Sequence, residues 1–272
     1  MPELPEMENY RRMLSASILN RPISKVIVNR EKSINVPSAE FVSNLIGSKV
    51  IFVERRGKHL IFHLNDGRRL LLHLMLGGLL YMTRGSEERP SRSTQIEIEF
   101  GDKVLYFIGL RLGYLHMISA KEAEEVLSQL GPELLDRRMT KERFVSLMMK
   151  RRGALKSLLV NQHAFAGIGN CYADEIAFDA KIHPAAKIQN MNEETLEQLF
   201  ESIQKVLREA TDGGGYIEMP FTEDDHLTGQ YNEQCKVYDR EGEPCVRCGT
   251  EIVKVEQTGR KVFYCPTCQH EQ

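Results

Sequence analysis

The chain lacks several features that would narrow its class at once. No apolar run reaches the ~18 residues that a membrane-crossing helix requires. No basic-then-apolar leader opens it, so no secretion signal is expected. There is no internal repeat and no low-complexity tract. Cysteine is too sparse for a disulfide scaffold, with six in 272 residues. Positive charge is not in excess either. The formal net charge is −2 and the pI about 6.5, which argues mildly against a polyanionic partner.

What is present divides the chain by pattern. Residues 5–19 read as an amphipathic helix, with Tyr10, Leu14 and Ile18 at helical spacing and Arg21-Pro22 as the stop. From 23 to about 117 short β-rich runs follow, at 23–28, 49–53, 59–64, 69–74, 95–100 and 104–108. Turn signals such as Asn65-Asp66-Gly67 and Gly101-Asp102 separate them. The pattern predicts an antiparallel β-sandwich or barrel. Residues 86–93 are polar and read as a mobile loop. Helical periodicity then predicts helices at 121–130, 141–149, 154–160, 170–178 and 192–211. Residues 216–234, with the acidic run Glu223-Asp224-Asp225, read as a flexible recognition loop. The expected fold class is α+β. Its parts are a catalytic β-sandwich with a leading helix (1–118), a linker (119–134), a helical domain (135–235) and a small metal module (236–272).

Cys245-x-x-Cys248 and Cys265-x-x-Cys268 have the spacing of a four-cysteine zinc site. Four thiolates leave no open coordination position, so one structural zinc ion is expected. A hairpin between the pairs would project the turn 257–260. Cys171 and Cys235 read as plain buried residues. The glycine-rich Gly167-Ile168-Gly169-Asn170 precedes a helix, where backbone N–H groups can approach a phosphate and Asn170 can cap. Structural use is the commoner case for such a turn. Basic clusters at Arg55-Arg56 with Lys58, at 150–152 with Lys156, and at Arg260-Lys261 are either solvated faces or parts of one groove.

The opening stretch Met1-Pro2-Glu3-Leu4-Pro5-Glu6 carries two readings. One is a proline-marked helix start with acids matching the helix dipole. The other begins with removal of Met1, which would leave Pro2 as a secondary amine with a pKa of about 7.7–8.0 beside two carboxylates on one helix face. A nucleophile with nearby acids suits covalent acid–base catalysis.

Together these motifs resemble the formamidopyrimidine-DNA glycosylase / endonuclease VIII family of base-excision repair. The resemblance runs from Pro2-Glu3-Leu4-Pro5-Glu6 through Arg55-Arg56-Gly57-Lys58, His73-Leu74, Gly131-Pro132 and Gly167–Ala173 to Arg260–Cys265. It implies a bifunctional DNA glycosylase/AP lyase. Pro2 would attack C1′ of an extruded damaged nucleotide, Glu3 would move protons on the sugar side, and Glu6 would support the site. Lys58 would hold phosphate and assist catalysis. Asn170, with Gly169, would grip the backbone in a helix-two-turn-helix element. Arg260 would bind flanking phosphates and serve the later elimination step. His73, Arg152 and Lys156 would be further DNA contacts, with Arg152 at a position where the family has lysine.

Departures accompany the resemblance. The family's duplex-inserting Asp-Pro-Arg-Arg-Phe-Gly is here Ile108-Gly109-Leu110-Arg111-Leu112-Gly113, which puts Leu110 at the inserted arginine and Leu112 at the phenylalanine. Arg111 matches the second arginine, Leu76 replaces a methionine wedge, and Ser91 stands where a histidine contact is common. Glycosylase–lyase chemistry is expected with altered substrate choice. Purine lesions of the formamidopyrimidine/8-oxoguanine type come first, and oxidised pyrimidines or abasic sites are the alternative. A damage- or structure-specific DNA-binding protein with little excision is the competing class, and a zinc-ribbon adaptor is more remote. The partner is damaged double-stranded DNA and no membrane. The expected state is a monomer in a bacterial-type cytoplasm, nucleoid-associated.

Overall fold

The computed structural model describes residues 1–85, 89–257 and 259–271. The chain forms two compact units. The first comprises 1–129 and 213–230, and the second 130–212 and 231–272.

The first unit opens with helix α1 (Leu4–Ile18), then β1 (Lys25–Val28) and α2 (Ser38–Leu45). Seven strands follow: β2 (Val50–Arg56), β3 (His59–Leu64), β4 (Arg69–His73), β5 (Leu79–Arg84), β6 (Thr94–Phe100), β7 (Lys103–Ile108) and β8 (Tyr114–Ile118). They make two four-stranded antiparallel sheets, ordered β1-β6-β7-β5 and β2-β3-β4-β8. Alternation sends Leu60, Phe62, Leu70 and Leu72 of one sheet and Leu80, Ile96, Ile98 and Phe107 of the other into one core. Met7, Tyr10, Leu14 and Ile18 of α1 complete it at helical spacing.

Three expectations change here. The sandwich gains β5, β8 and α2. Residues 120–128 form helix α3 (Ala120–Ser128), capped by Ser119 and Glu122, and belong to the first unit instead of a linker. Segment 213–230 also joins the first unit and is not a free loop. Phe221 is 1% exposed inside the sandwich core, and its carbonyl accepts from the Met82 amide at 2.7 Å. Asp225 is likewise no surface acid, since its carboxylate accepts from the backbone amides of Phe221, Leu227 and Thr228. Of the expected loop 86–93, residues 86–88 lie outside the described residues.

The second unit holds α4 (Lys141–Met148), α5 (Leu155–Leu159), α6 (Asn170–Asp179) and α7 (Glu193–Asp212), followed by the hairpin β9 (Val253–Gln257) and β10 (Arg260–Tyr264). Phe144 anchors the helices against Phe165 and Phe200, at ring-centroid distances of 5.7 and 5.3 Å.

If Phe221 ties segment 213–230 to the sandwich, Phe221→Ala should cost about 3–5 kcal/mol, the usual range for a buried phenylalanine. Denaturant unfolding with limited proteolysis of the segment measures this, and a loss below about 1 kcal/mol would refute the anchoring role.

Candidate functional site

The front end of the chain is held tightly. Pro2 is buried, whereas Met1 is exposed. Glu3 is the N-cap of α1 and forms a capping box with Glu6, whose Oε2 accepts the Glu3 amide at 2.8 Å. The second oxygen, Oε1, accepts the amide of Tyr216 at 2.9 Å. Both carboxylates are buried, at 2% and 3% exposure. Gly215 precedes Tyr216 with φ +81°, and a Cβ there would lie 2.2 Å from Glu6 Oε1, so only glycine allows this approach. The Tyr216 hydroxyl reaches both the amino nitrogen and the carbonyl of Met1 at 3.3 Å. No feature of the sequence marked Tyr216 for this role, because its partner lies 210 positions away.

Lys58 sits in the two-residue turn joining β2 and β3, with Gly57 at φ +56° in the first central position. It is 5% exposed, unlike an ordinary surface lysine. Beside it Glu8 accepts from Arg11 and Arg55. Burial pushes the Glu8 carboxyl up, but the two guanidinium groups outweigh it and leave its pKa lowered. His73 lies across from His59 in adjacent strands with ring centroids 4.3 Å apart, and it stacks on Tyr114. Burial first, then the Lys58 charge, lowers His73 to about 4. Burial and His73 lower His59 to about 3. Both rings are therefore neutral at physiological pH.

The inserting segment departs from expectation at one residue. Leu110 is 0% exposed in the sandwich core, with its amide bonded to Gln95 and its carbonyl to Ser33. Its side chain packs into the core instead of facing solvent. Leu76 and Leu112 are 64% and 62% exposed, and both line a cavity of about 580 Å³ with Arg92, Gln95 and Arg111. Close backbone packing brings the two loops together, since a Cβ on Gly109 would lie 2.1 Å from the Gly77 carbonyl oxygen. Ser91 is exposed and lines a second cavity of about 590 Å³ with Tyr81, Arg89, Met219 and Glu223.

In the second unit Gly169, not Asn170, is the N-cap of α6; Asn170 is its first residue and half-buried. Gln162 organises the glycine turn, as its side chain donates to the Ile168 carbonyl and accepts the Gly167 amide. Arg152 and Arg260 are exposed. Lys156 is not a surface contact. It is 3% exposed and paired with Asp174 at 2.8 Å. Of the expected turn 257–260, Thr258 lies outside the described residues.

The sulfur atoms of Cys245, Cys248, Cys265 and Cys268 all lie within 4.8 Å of one another. The Cys245–Cys268 and Cys248–Cys265 separations are 3.9 and 3.5 Å. Tetrahedral zinc with Zn–S bonds of about 2.3 Å needs S···S spacings of roughly 3.8 Å, so the donor set fits. Amides of Arg247 and Cys268 donate to sulfurs in the two knuckles. Residues in these positions would hold a structural ion, with no position open for substrate.

Family models match along the chain: the formamidopyrimidine-DNA glycosylase N-terminal domain over 1–114, its H2TH domain over 130–220, and the zinc finger found in FPG and IleRS over 242–270. The formamidopyrimidine-DNA glycosylase of Listeria innocua is 36% identical over 99% of this chain and 100% of its own length. The chain belongs to the formamidopyrimidine-DNA glycosylase family. That of Pelotomaculum thermopropionicum is 34% identical over 99% of each chain. Among solved structures, Lactococcus lactis Fpg in complex with abasic-site DNA is similar with a TM-score of 0.90. It is 29% identical and covers 99% of this chain and 100% of its own. A point mutant of the same protein, bound to Fapy-dG DNA, is similar to the same degree. No described helix is long and apolar enough to cross a membrane.

The two depressed histidines set a pH dependence within this family fold. Their folded pKa values, about 3 and 4, lie below the ordinary 6.5, so the unfolded chain binds more protons as pH falls below that value. Stability should be fully present above about pH 6.5 and fall on acidification, by about 2 kcal/mol per ring at about pH 5. Denaturant midpoints across this range test it. His59→Gln should flatten the slope, and an unchanged slope would count against the assignment.

Proposed function

We propose that this chain is a bifunctional DNA glycosylase/AP lyase acting on oxidised purines in double-stranded DNA. Membership of the formamidopyrimidine-DNA glycosylase family over 99% of the length supports the reading. The observation that carries it to a mechanism is the buried Glu3–Glu6 box directly behind Pro2.

While Met1 is attached, the Pro2 nitrogen is a tertiary amide whose lone pair is delocalised. Removal of Met1 turns it into a secondary amine. That amine attacks C1′ of the extruded nucleotide, the glycosidic bond breaks, and the base leaves with the bonding pair and takes up a proton. Glu3 protonates the ring oxygen as the sugar opens to the iminium. Loss of a C2′ proton then expels the 3′ phosphate, and loss of a C4′ proton expels the 5′ phosphate. A one-nucleotide gap remains and the iminium hydrolyses to free Pro2. Extrusion costs about a few kcal/mol, which cationic contacts to the backbone offset. Lys58, Arg152, Asn170 with Gly169, and Arg260 are the residues proposed for those contacts, and His73 and Ser91 lie in the same proposed binding set. The protein acts as a monomer in the cytoplasm, on nucleoid DNA.

Borohydride trapping on abasic and oxidised duplexes should give a covalent adduct with wild type, and peptide mapping should place it on the Pro2 nitrogen. Binding without an adduct in wild type would leave only a damage-binding protein.

The wedge makes a second, separate expectation. Leu76 and Leu112 can fill the space of an extruded nucleotide, but they offer no hydrogen bond to the orphaned base, and Leu110 is locked in the core. Apolar surfaces discriminate weakly, so excision rates against the four partner bases should lie within about tenfold of one another. A duplex panel measures this, and a strong preference for cytosine would contradict it.

A further inference from the structure

Lys156 and Asp174 form a buried ion pair that the chemistry above does not use, and its hydrogen bonds point to the zinc hairpin. Lys156 Nζ donates to Asp174 Oδ2 at 2.8 Å and to the carbonyl of Lys261 at 2.6 Å. The same Asp174 oxygen accepts the amide of Phe263 at 3.1 Å. In a strand, the carbonyl of one residue and the amide two positions later face the same edge. Lys261 O and Phe263 N are such a pair, on the edge of β10 that β9 does not cover. The ion pair therefore supplies one donor and one acceptor, as a neighbouring strand would. A one-residue slip of β10 would leave both side chains facing the wrong groups. Burying a charged pair is costly, and this one is 0% and 3% exposed. Among the described residues Asp174 Oδ1 is buried with no hydrogen-bond partner, and the bonds to Lys156 and Phe263 both fall on Oδ2.

The next residue on α6 works on the other end of the module. Glu175, 2% exposed, accepts the amides of Lys236, Val237 and Tyr238, where the chain enters the zinc module. Two successive carboxylates on one helix thus fix the entry and the return strand, independently of the four cysteines. Arg260 begins β10, one residue before the carbonyl that Lys156 holds.

We propose that Lys156 and Asp174 are positioning residues that set the register of β10 on α6, and so the placement of Arg260 for phosphate. This rests on the reading of Arg260 as a phosphate contact. Its test is a double-mutant cycle in the full-length, zinc-loaded protein, using binding to a duplex with a non-cleavable abasic analogue. Asp174→Asn keeps the shape and loses the charge. Lys156→Met keeps most of the stem and removes both the donor and the positive charge. Zinc content and melting temperature confirm folding, and if one variant loses zinc the other carries the measurement.

Each variant should weaken binding about tenfold and reduce the salt slope by about one, as Arg260→Ala should. Adding Arg260→Ala to either should then cost little more, because the contact is already lost. Multiplicative losses, or wild-type affinity in a zinc-loaded variant, would overturn the proposal. A merely structural loss would not cancel against Arg260→Ala. The cycle reads binding alone, so absence of a borohydride adduct in wild type would sink the catalytic reading and leave this one standing.

Discussion

The carboxylate of Glu6 is the constraint on which the proposed chemistry depends. It is almost fully removed from water, so each oxygen needs a donor to offset the lost hydration. One donor is the Glu3 amide at the start of α1, and the other is the Tyr216 amide, brought in by a segment far along the chain. Those bonds fix where α1 begins, and with it the residue before the cap, which is Pro2. Asn9 on the same helix donates to Thr228 of the same segment at 2.8 Å. The segment 213–230 is thus stitched to α1 at two points and to the sheets through Phe221. Most of this segment is therefore framework.

The same economy governs the second unit. Asp174 and Glu175 are buried acids whose partners are backbone amides and one lysine. Buried charge discriminates between registers more sharply than apolar contact does, because a shifted partner leaves an uncompensated charge. A small zinc module with few apolar residues has little core of its own. Phe178, Val237, Ile252 and Phe263 pack with two of the cysteines, and Arg247 lies 4.0 Å above the Phe178 ring. Helix α6 therefore gives the module both an apolar floor and two polar clamps, while the metal organises the knuckles.

Much of this was legible in the sequence. The amphipathic stripes of α1 and α7 and the alternation in β6 come from periods that need no tertiary context. The Cys-x-x-Cys spacing was specific for a zinc site, and the ordered series of motifs from the N-terminal hexapeptide to Arg260–Cys265 carried the family resemblance. Strands β5 and β8 were missed because Leu79–Arg84 follows a double glycine and Tyr114–Ile118 is short and flanked by turns, so neither shows a clean period. The burial of Lys156 and Leu110 was hidden for one reason. A motif position says which residue type stands there, but burial is decided by partners such as Asp174 and the opposite sheet. Gln162, Tyr216 and Asp174 carry no motif at all, and each acts through backbone groups that sequence cannot pair.

Net charge misled for a related reason. A formal −2 counts every ionisable side chain, buried or exposed. Among the described residues five acids are buried, Glu3, Glu6, Glu97, Asp174 and Glu175, against two lysines, Lys58 and Lys156. Those seven account for −3 of the total, so the rest of the chain carries about +1. The exposed cations are also clustered, with Lys150, Arg151 and Arg152 after α4 and Arg260 and Lys261 on the hairpin. Binding to a duplex depends on the number of phosphates neutralised locally and the counterions released there. An acidic pI is therefore compatible with a DNA enzyme, provided that its acids are spent inside the fold, as they are at the front of α1 and along α6.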